Sequence, residues 1–221
     1  MLYRSEDFIM NNYGGSLHSN FNDNDYIAYA KDISVVKIIA DDKFCSGVPI
    51  NRSAIITIKH AIEYQNNIQV FYNNLLLDIK DIQYHKKEDL AIIRLNNLIK
   101  CNSIEYCEDI PLMGKICSIA GYGVKYQNSK QYNVDLEKRG GQNQIIWETD
   151  SYFECRMDMD GVDLEFIPTI GDSGGPVFVD NKLAGLNKYV KSVDGLADSS
   201  YGDISGHIKL RKYVSWIQAR L

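Results

Sequence analysis

The stretch "TIGDSGGPVF", residues 169–178, sets one serine among glycines, an aspartate and a proline, then runs into an apolar segment. Ser173 is either a turn residue or a nucleophile, and a short motif by itself leaves both open. A serine hydroxyl attacks only when an imidazole takes its proton and a carboxylate fixes that imidazole's tautomer and stabilises its cation. Both groups have to come from elsewhere in the chain.

The sequence has four histidines, His18, His60, His85 and His207. His60 sits in "SAIITIKHAI", directly after a β-branched run that reads as a strand. Asp89 sits in "KKEDLAIIRL", a charged turn leading into an apolar strand, which can aim one carboxylate inward while its neighbours stay solvated. His18 lies in a polar arm and His85 in a Lys-rich turn, and both read as surface residues. A lone strand-end histidine is more often structural and a lone turn aspartate is more often solvated. His60, Asp89 and Ser173 together supply base, orienting acid and nucleophile. Gly171 then has a stated purpose: turning two amides into one oxyanion site needs unusual dihedrals, which glycine adopts without steric cost, so the Gly171 and Ser173 N–H groups are the candidate donors.

Composition bounds the alternatives. The 221 residues are 45% hydrophobic with a formal net charge of -5, and the Lys and Arg residues are scattered rather than clustered, which argues against a nucleic-acid partner. The N-terminus lacks the basic flank and apolar core of a secretory signal, and no apolar run is long enough for a transmembrane helix, so no membrane partner is expected. Residues 11–25 are rich in Asn, Asp, Gly and Ser and read as a mobile or wrapping arm. Short β-branched and aromatic runs follow: "ISVVKIIA", "SAIITI", "NIQVFY", "LAIIRL", "ICSIAGYG", "NQIIWET", "PVFVD" and "KLAGLNKYV". Only the C-terminal "IKLRKYVSWIQARL" has helical spacing, with Leu210, Val214, Ile217 and Leu221 on one face. The expected fold class is therefore all-β with a terminal α-helix. No His/Cys cluster has zinc spacing and no glycine loop ends as a P-loop does, so neither metal nor other cofactor is expected.

From about Ser34 onward the chain resembles the chymotrypsin/trypsin-like serine peptidases. "FCSG" (44–47) resembles the strand the family places before its histidine, "TIKH" (57–60) its histidine turn and "DLAIIRL" (89–95) its aspartate strand. "GYG" (121–123) resembles its Gly-Trp-Gly and "KYVSWIQ" (212–218) its last helix, and "GDSGGP" (171–176) reproduces its serine loop letter for letter. The resemblance implies a double six-stranded antiparallel β-barrel: an N-terminal arm 1–26, barrels over 27–112 and 113–206 with the site between them, and a helix over 207–221. It implies a monomeric serine endopeptidase with a protein or peptide substrate, in which Ser173 attacks, His60 is general base and Asp89 orients His60. Ile167 would floor the pocket for the residue before the scissile bond (P1), Tyr189 and Val190 would line its wall, and Ser205 with Gly206 its far side. That set favours small or medium apolar P1 residues, with His207 as a helper for an acidic P1, or Asp163 for a basic one, as alternatives.

The departures are as informative. No Ile-Val-Gly-Gly-like segment follows a basic residue, so the partner of Asp172, which family members pair with a freed N-terminus, is open, and an activating partner protein is one candidate. Lys188 stands where the family has a serine supporting the aspartate. Of the five cysteines, Cys45 and Cys117 align with family bridge positions, but the residues facing them would be Ala61 and Val179. Cys155 looks like half of a lost bridge, and Cys101 and Cys107 could still bridge locally. An odd count without an intact family pair favours a reducing compartment, with a secreted protein as the alternative. The competing function class is a catalytically silent or partner-activated protease-fold binding module.

Overall fold

The computed structural model describes residues 22–108, 111–128, 131–158, 161–193, 195 and 199–221. Most of the N-terminal arm, with His18, lies outside the described residues. In chain order the elements are α1 (Asp23–Ala30), β1 (Val36–Ala40), β2 (Lys43–Asn51), β3 (Ala54–Thr57), β4 (Ile68–Tyr72), β5 (Leu75–Leu76), β6 (Ile79–Tyr84) and β7 (Ala91–Leu95). A second set follows: β8 (Ile116–Gly121), β9 (Lys125–Asn128), β10 (Gln131–Asn133), β11 (Arg139–Glu148), β12 (Tyr152–Arg156), β13 (Pro176–Val179), β14 (Lys182–Lys191) and β15 (Ile204–Lys209). A 3-10 turn, Leu210–Tyr213, then leads into α2 (Val214–Gln218).

The second set closes into a six-stranded barrel in the order β11-β12-β15-β14-β13-β8, with β9 and β10 forming a separate hairpin. The first set differs from the closed ring expected of it: seven strands run β5-β4-β1-β2-β3-β7-β6, a half-barrel with edges at β5 and β6. One edge is the two-residue strand Leu75–Leu76, and it does not pair with β6. Every strand pair within the two sheets is antiparallel.

Side-chain alternation explains why β3 and β7 sit at the junction. Ile55 pairs with Ile93 and Ile56 with Ile92. Successive side chains on a strand point to opposite faces. Ile55 and Ile93 therefore join the core of the first half, with Val36, Ile38 and Val70. Ile56 and Ile92 join a different core with Leu183, Leu186 and Ile208 of the second half and Leu210, Tyr213 and Ile217 of the C-terminal segment. The two halves and the last helix thus share one apolar layer. Neighbouring β-branched residues in these strands are all buried, as expected for strands covered on both faces.

Two element boundaries differ from expectation. His207 and the residues flanking it belong to β15, so the helical segment starts at Leu210, and Leu221 is exposed while Leu210, Tyr213 and Ile217 are buried. At the end of the arm segment, Asn22 caps α1: its side chain accepts from Asn24 N and its amide donates to the Asp25 carboxylate, 2.9 and 2.7 Å. Asp23 of α1 pairs with the buried Arg139 at 2.6 Å, and Tyr26 is fully buried beside Phe166, which docks the helix on the second barrel. No helix among the described residues is long and apolar enough to cross a membrane.

Candidate active site

β2 and β3 carry the serine loop. Ser46 of β2 donates its amide to Ser173 O and its hydroxyl to Gly171 O, both at 2.9 Å, and its hydroxyl accepts from Tyr122 N. Thr57, the last residue of β3, donates its hydroxyl to Ser46 O at 2.7 Å. The fit leaves no room for a side chain next to the serine: a Cβ on Gly174 would lie 2.3 Å from Thr57 Oγ1 and 3.0 Å from Ile58 N. The strand that ends in the histidine turn therefore abuts the serine loop through backbone contact.

His60 follows in that turn and Asp89 closes the turn before β7. His60 N donates to Asp89 Oδ1 at 2.7 Å, and His60 Nδ1 lies 2.6 Å from Asp89 Oδ2. A carboxylate only accepts, so Nδ1 carries a proton, and in the neutral ring the lone pair is on Nε2. Burial pushes the Asp89 carboxyl up, but the bonds from the His60 ring and amide and the charge of Lys188 outweigh it, leaving the group below the usual carboxylate range. The His60 ring remains half exposed. Ser173 Oγ makes no hydrogen bond among the described residues; such contacts are commonly long before substrate arrives.

The amides of the serine loop divide sharply. Asp172 N donates to Thr169 O, Gly174 N to Asn187 O and Gly175 N to Asp172 O. The Gly171 and Ser173 amides, like that of the exposed Ile170, donate to nothing among the described residues. Buried backbone donors are nearly always paired, so two unpaired ones flanking a candidate nucleophile form a ready anion site. Gly171 has φ +98°, and a Cβ there would lie 2.1 Å from the Phe44 ring, so only glycine fits.

Asp172 is fully buried, and its partners are now identified. Its carboxylate accepts from Gly123 N at 2.7 Å and Thr169 N at 2.8 Å, with Thr169 Oγ1 at 3.1 Å. Desolvation still dominates and pushes its pKa up to about 6. Gly121 and Gly123 are required by this packing, since a Cβ on either would fall about 2 Å from an Asp172 oxygen, at 2.1 and 2.2 Å.

Next to Ser173 lies a cavity of about 170 Å³ lined by Pro168, Thr169, Ile170, Asn187, Lys188, Tyr189 and Val190. Of the pocket residues anticipated from sequence, Tyr189 and Val190 line it, while Ile167, Ser205 and Gly206 do not. Ile167 is fully buried. Gly206 lies under the Tyr189 ring, where a Cβ would meet Cζ at 2.0 Å, and the Tyr189 hydroxyl donates to Glu154 at 2.7 Å. Ser205 Oγ is engaged with His207 Nε2 at 2.9 Å. Pro168 and Ile170, beside the motif, were not anticipated; their nearness to the serine in sequence was the available signal. Asp163 is exposed and lines no part of this cavity.

His207 is fully buried, its Nδ1 3.1 Å from Asn187 Oδ1 and its ring stacked on Phe153. Burial pushes its pKa down to about 3, so it holds no charge with which to meet an acidic substrate. This group also makes stability pH-dependent. The unfolded imidazole gains a proton near pH 6.5 and the folded one does not, so its contribution is present above pH 6.5 and is lost as pH falls. Urea titrations of the wild type are expected to lose about 2 kcal/mol through this group between pH 6.5 and 5. That component should vanish in His207→Gln; an unchanged pH slope would refute it.

His85, expected at the surface, is instead partly covered: its ring meets Tyr213 and Trp216 edge-on, and its Nδ1 accepts from Lys87 N and Glu88 N. All five cysteines are unbridged. Cys117 lies 3.7 Å from Cys155 through their sulfurs, so its neighbour in the barrel includes a second thiol that the family resemblance did not anticipate.

Comparison with known proteins bears on the family and the fold. The family model described as Trypsin matches residues 26–217. An uncharacterized peptidase of Corynebacterium glutamicum is 22% identical over 192 residues, covering 83% of this chain; the chain spans 66% of that relative's length. A trypsin of Gallus gallus is 26% identical over 201 residues, covering 79% of this chain and 78% of the relative. The structure of neuropsin, a serine protease expressed in the limbic system of mouse brain, superposes with a TM-score of 0.69 at 17% identity, over 84% of this chain and 93% of that one. The architecture is thus the chymotrypsin-like one.

Proposed function

Because the chain belongs to the trypsin family, we propose that it is a serine endopeptidase whose triad is His60, Asp89 and Ser173. The observation that carries this reading is the pattern of amide use in the serine loop: Gly171 and Ser173 leave their N–H groups unpaired while Asp172, Gly174 and Gly175 engage theirs.

The chemistry follows from the positions of the groups. A peptide carbonyl seated beside the loop places its oxygen against the two amides. Ser173 Oγ rotates onto His60 Nε2, gives up its proton and attacks the carbonyl carbon. Asp89 stabilises the resulting imidazolium through Nδ1. The Gly171 and Ser173 amides hold the alkoxide, and His60 then protonates the leaving amine. Water deacylates the enzyme by the same route in reverse, with His60 again as base. Asp172, held by Gly123 and Thr169, supports the loop conformation that presents these amides.

The cavity next to Ser173 is small and its side walls carry Pro168, Ile170 and Val190, so the P1 side chain it accepts is small or medium and apolar. A peptide-library digest is expected to give cleavage after Ala, Val or Leu. Cleavage strictly after Arg or Lys would overturn the pocket assignment. The Ser173 hydroxyl, lacking a hydrogen bond to the ring, favours a second reading as a partner-activated or silent binding module. Fluorophosphonate labelling separates the two, because only a working nucleophile reacts.

A further inference from the structure

Beneath the Asp89–His60 pair lies a second ionic cluster. Glu88 Oε1 accepts from Asp89 N at 2.9 Å, from the Tyr152 hydroxyl at 2.8 Å and from Lys188 Nζ at 3.2 Å. Glu88 Oε2 accepts from the Tyr213 hydroxyl at 2.7 Å. Lys188 Nζ also reaches the Tyr152 hydroxyl at 3.1 Å and sits 4.6 Å over its ring. The pair is well covered, with side-chain exposures of 22% for Lys188 and 12% for Glu88, so its charges are screened less than a surface pair's.

Lys188 and Glu88 come from β14 and from the turn before β7, and the two tyrosines come from β12 and the 3-10 turn, so four separate segments converge on the carboxylate. The other charged and titratable groups around the pair are accounted for. Lys59 on the His60 turn is paired with Glu63 at 3.1 Å, near Tyr84 of β6. His85, packed on Tyr213 and Trp216, receives the Glu88 amide, and Arg220 from the C-terminal end lies close enough to act on it by charge. Without Lys188, Asp89 would have a second, uncompensated carboxylate in the adjacent residue.

We propose that Lys188 is a positioning residue for the Asp89–His60 pair: its ammonium pins the Glu88 carboxylate that receives the Asp89 amide, which fixes the carboxylate orienting the imidazole and offsets the neighbouring negative charge. The proposal rests on the peptidase reading only in taking His60 as the base. A lysine thereby does from below, through Glu88, what a small hydroxyl residue at this position would do by direct contact.

Three variants test it: Lys188→Met, Lys188→Arg and Glu88→Gln. One readout is the pH dependence of kcat/KM, and the other is the proton NMR resonance of the His60 Nδ1 proton, which requires no activity. Lys188→Met is expected to lower kcat about tenfold, because the base is displaced rather than removed. Its acid limb moves to higher pH by on the order of half a unit, since two carboxylates then face the imidazole. Its Nδ1 proton resonance broadens through solvent exchange. Lys188→Arg restores all three, and Glu88→Gln moves the acid limb the opposite way. An unchanged limb and resonance in Lys188→Met would overturn the proposal, as would a Lys188→Arg protein no better than Lys188→Met. If the wild type cleaves no peptide, the peptidase reading fails while the resonance still decides the role of Lys188.

Discussion

Ser173→Ala is expected to lower kcat by on the order of 10⁶-fold and to leave the fold intact. The substitution removes one oxygen that makes no hydrogen bond among the described residues, while the Ser46 N to Ser173 O bond that anchors the loop is made by backbone atoms and persists. Stability by urea titration should therefore stay within about 0.5 kcal/mol of the wild type, the range of harmless substitutions. The backbone amides of the serine loop remain in the variant, so a residual rate roughly 10³-fold or more above the uncatalysed one survives. Initial-rate measurements on a cleaved peptide check the loss. A fall of less than about tenfold would assign the nucleophile elsewhere.

Asp89→Asn is expected to cost about 10⁴-fold in kcat with little change in KM. The side chain keeps its shape, and its Oδ1 can still accept from His60 N, as the carboxylate does at 2.7 Å. Its amide nitrogen, however, donates toward His60 Nδ1, where the carboxylate accepts at 2.6 Å. Nδ1 then becomes the acceptor and the ring proton moves to Nε2, so the atom proposed to take the serine's proton already holds one. Loss of the negative charge also leaves the imidazolium of the transition state unsupported. Fluorophosphonate labelling should slow in parallel with peptide hydrolysis, because both need the same proton taken from Ser173. A labelling rate unchanged in Asp89→Asn would mean that Asp89 only shapes the turn.

What could be read from the sequence follows from where the constraints are local. The serine loop was legible because the amide geometry demands glycine at 171 and tight backbone contact demands it at 174, and both demands leave letters in the chain. The apolar runs in β3, β7 and β8 were legible because strands covered by protein keep β-branched residues. β2 was visible only through its likeness to a family strand, since "KFCSGVPIN" carries glycine and proline that lower strand propensity. β6 hid in the polar alternation of "IKDIQY", which lies at the sheet edge. Helix α1 was missed although Asn22 and Asp25 spell a capping pair, because only one buried aromatic, Tyr26, marks its face.

The site's support was less legible than its reactive groups. Glu88 adjoins Asp89 in sequence, but Tyr152, Lys188 and Tyr213 reach it only through folding. Lys188 registered as a departure from a serine, and its partner became visible only in three dimensions. The pocket shows the same limit. Ser205 and Gly206 occupy the expected strand, but the register of β14 against β15 puts the Tyr189 ring over Gly206, and His207 claims the Ser205 hydroxyl.

The central claim is that His60, Ser173 and the two unpaired amides act on one reacting centre, and a crystal structure of the protein after reaction with a fluorophosphonate tests it most directly. Phosphorus is expected on Ser173 Oγ, with the phosphoryl oxygen about 2.7–3.1 Å from the Gly171 and Ser173 nitrogens and a second oxygen facing His60 Nε2. Phosphorus on another residue, a phosphoryl oxygen that meets neither amide, or a His60 ring turned away from the adduct would contradict it.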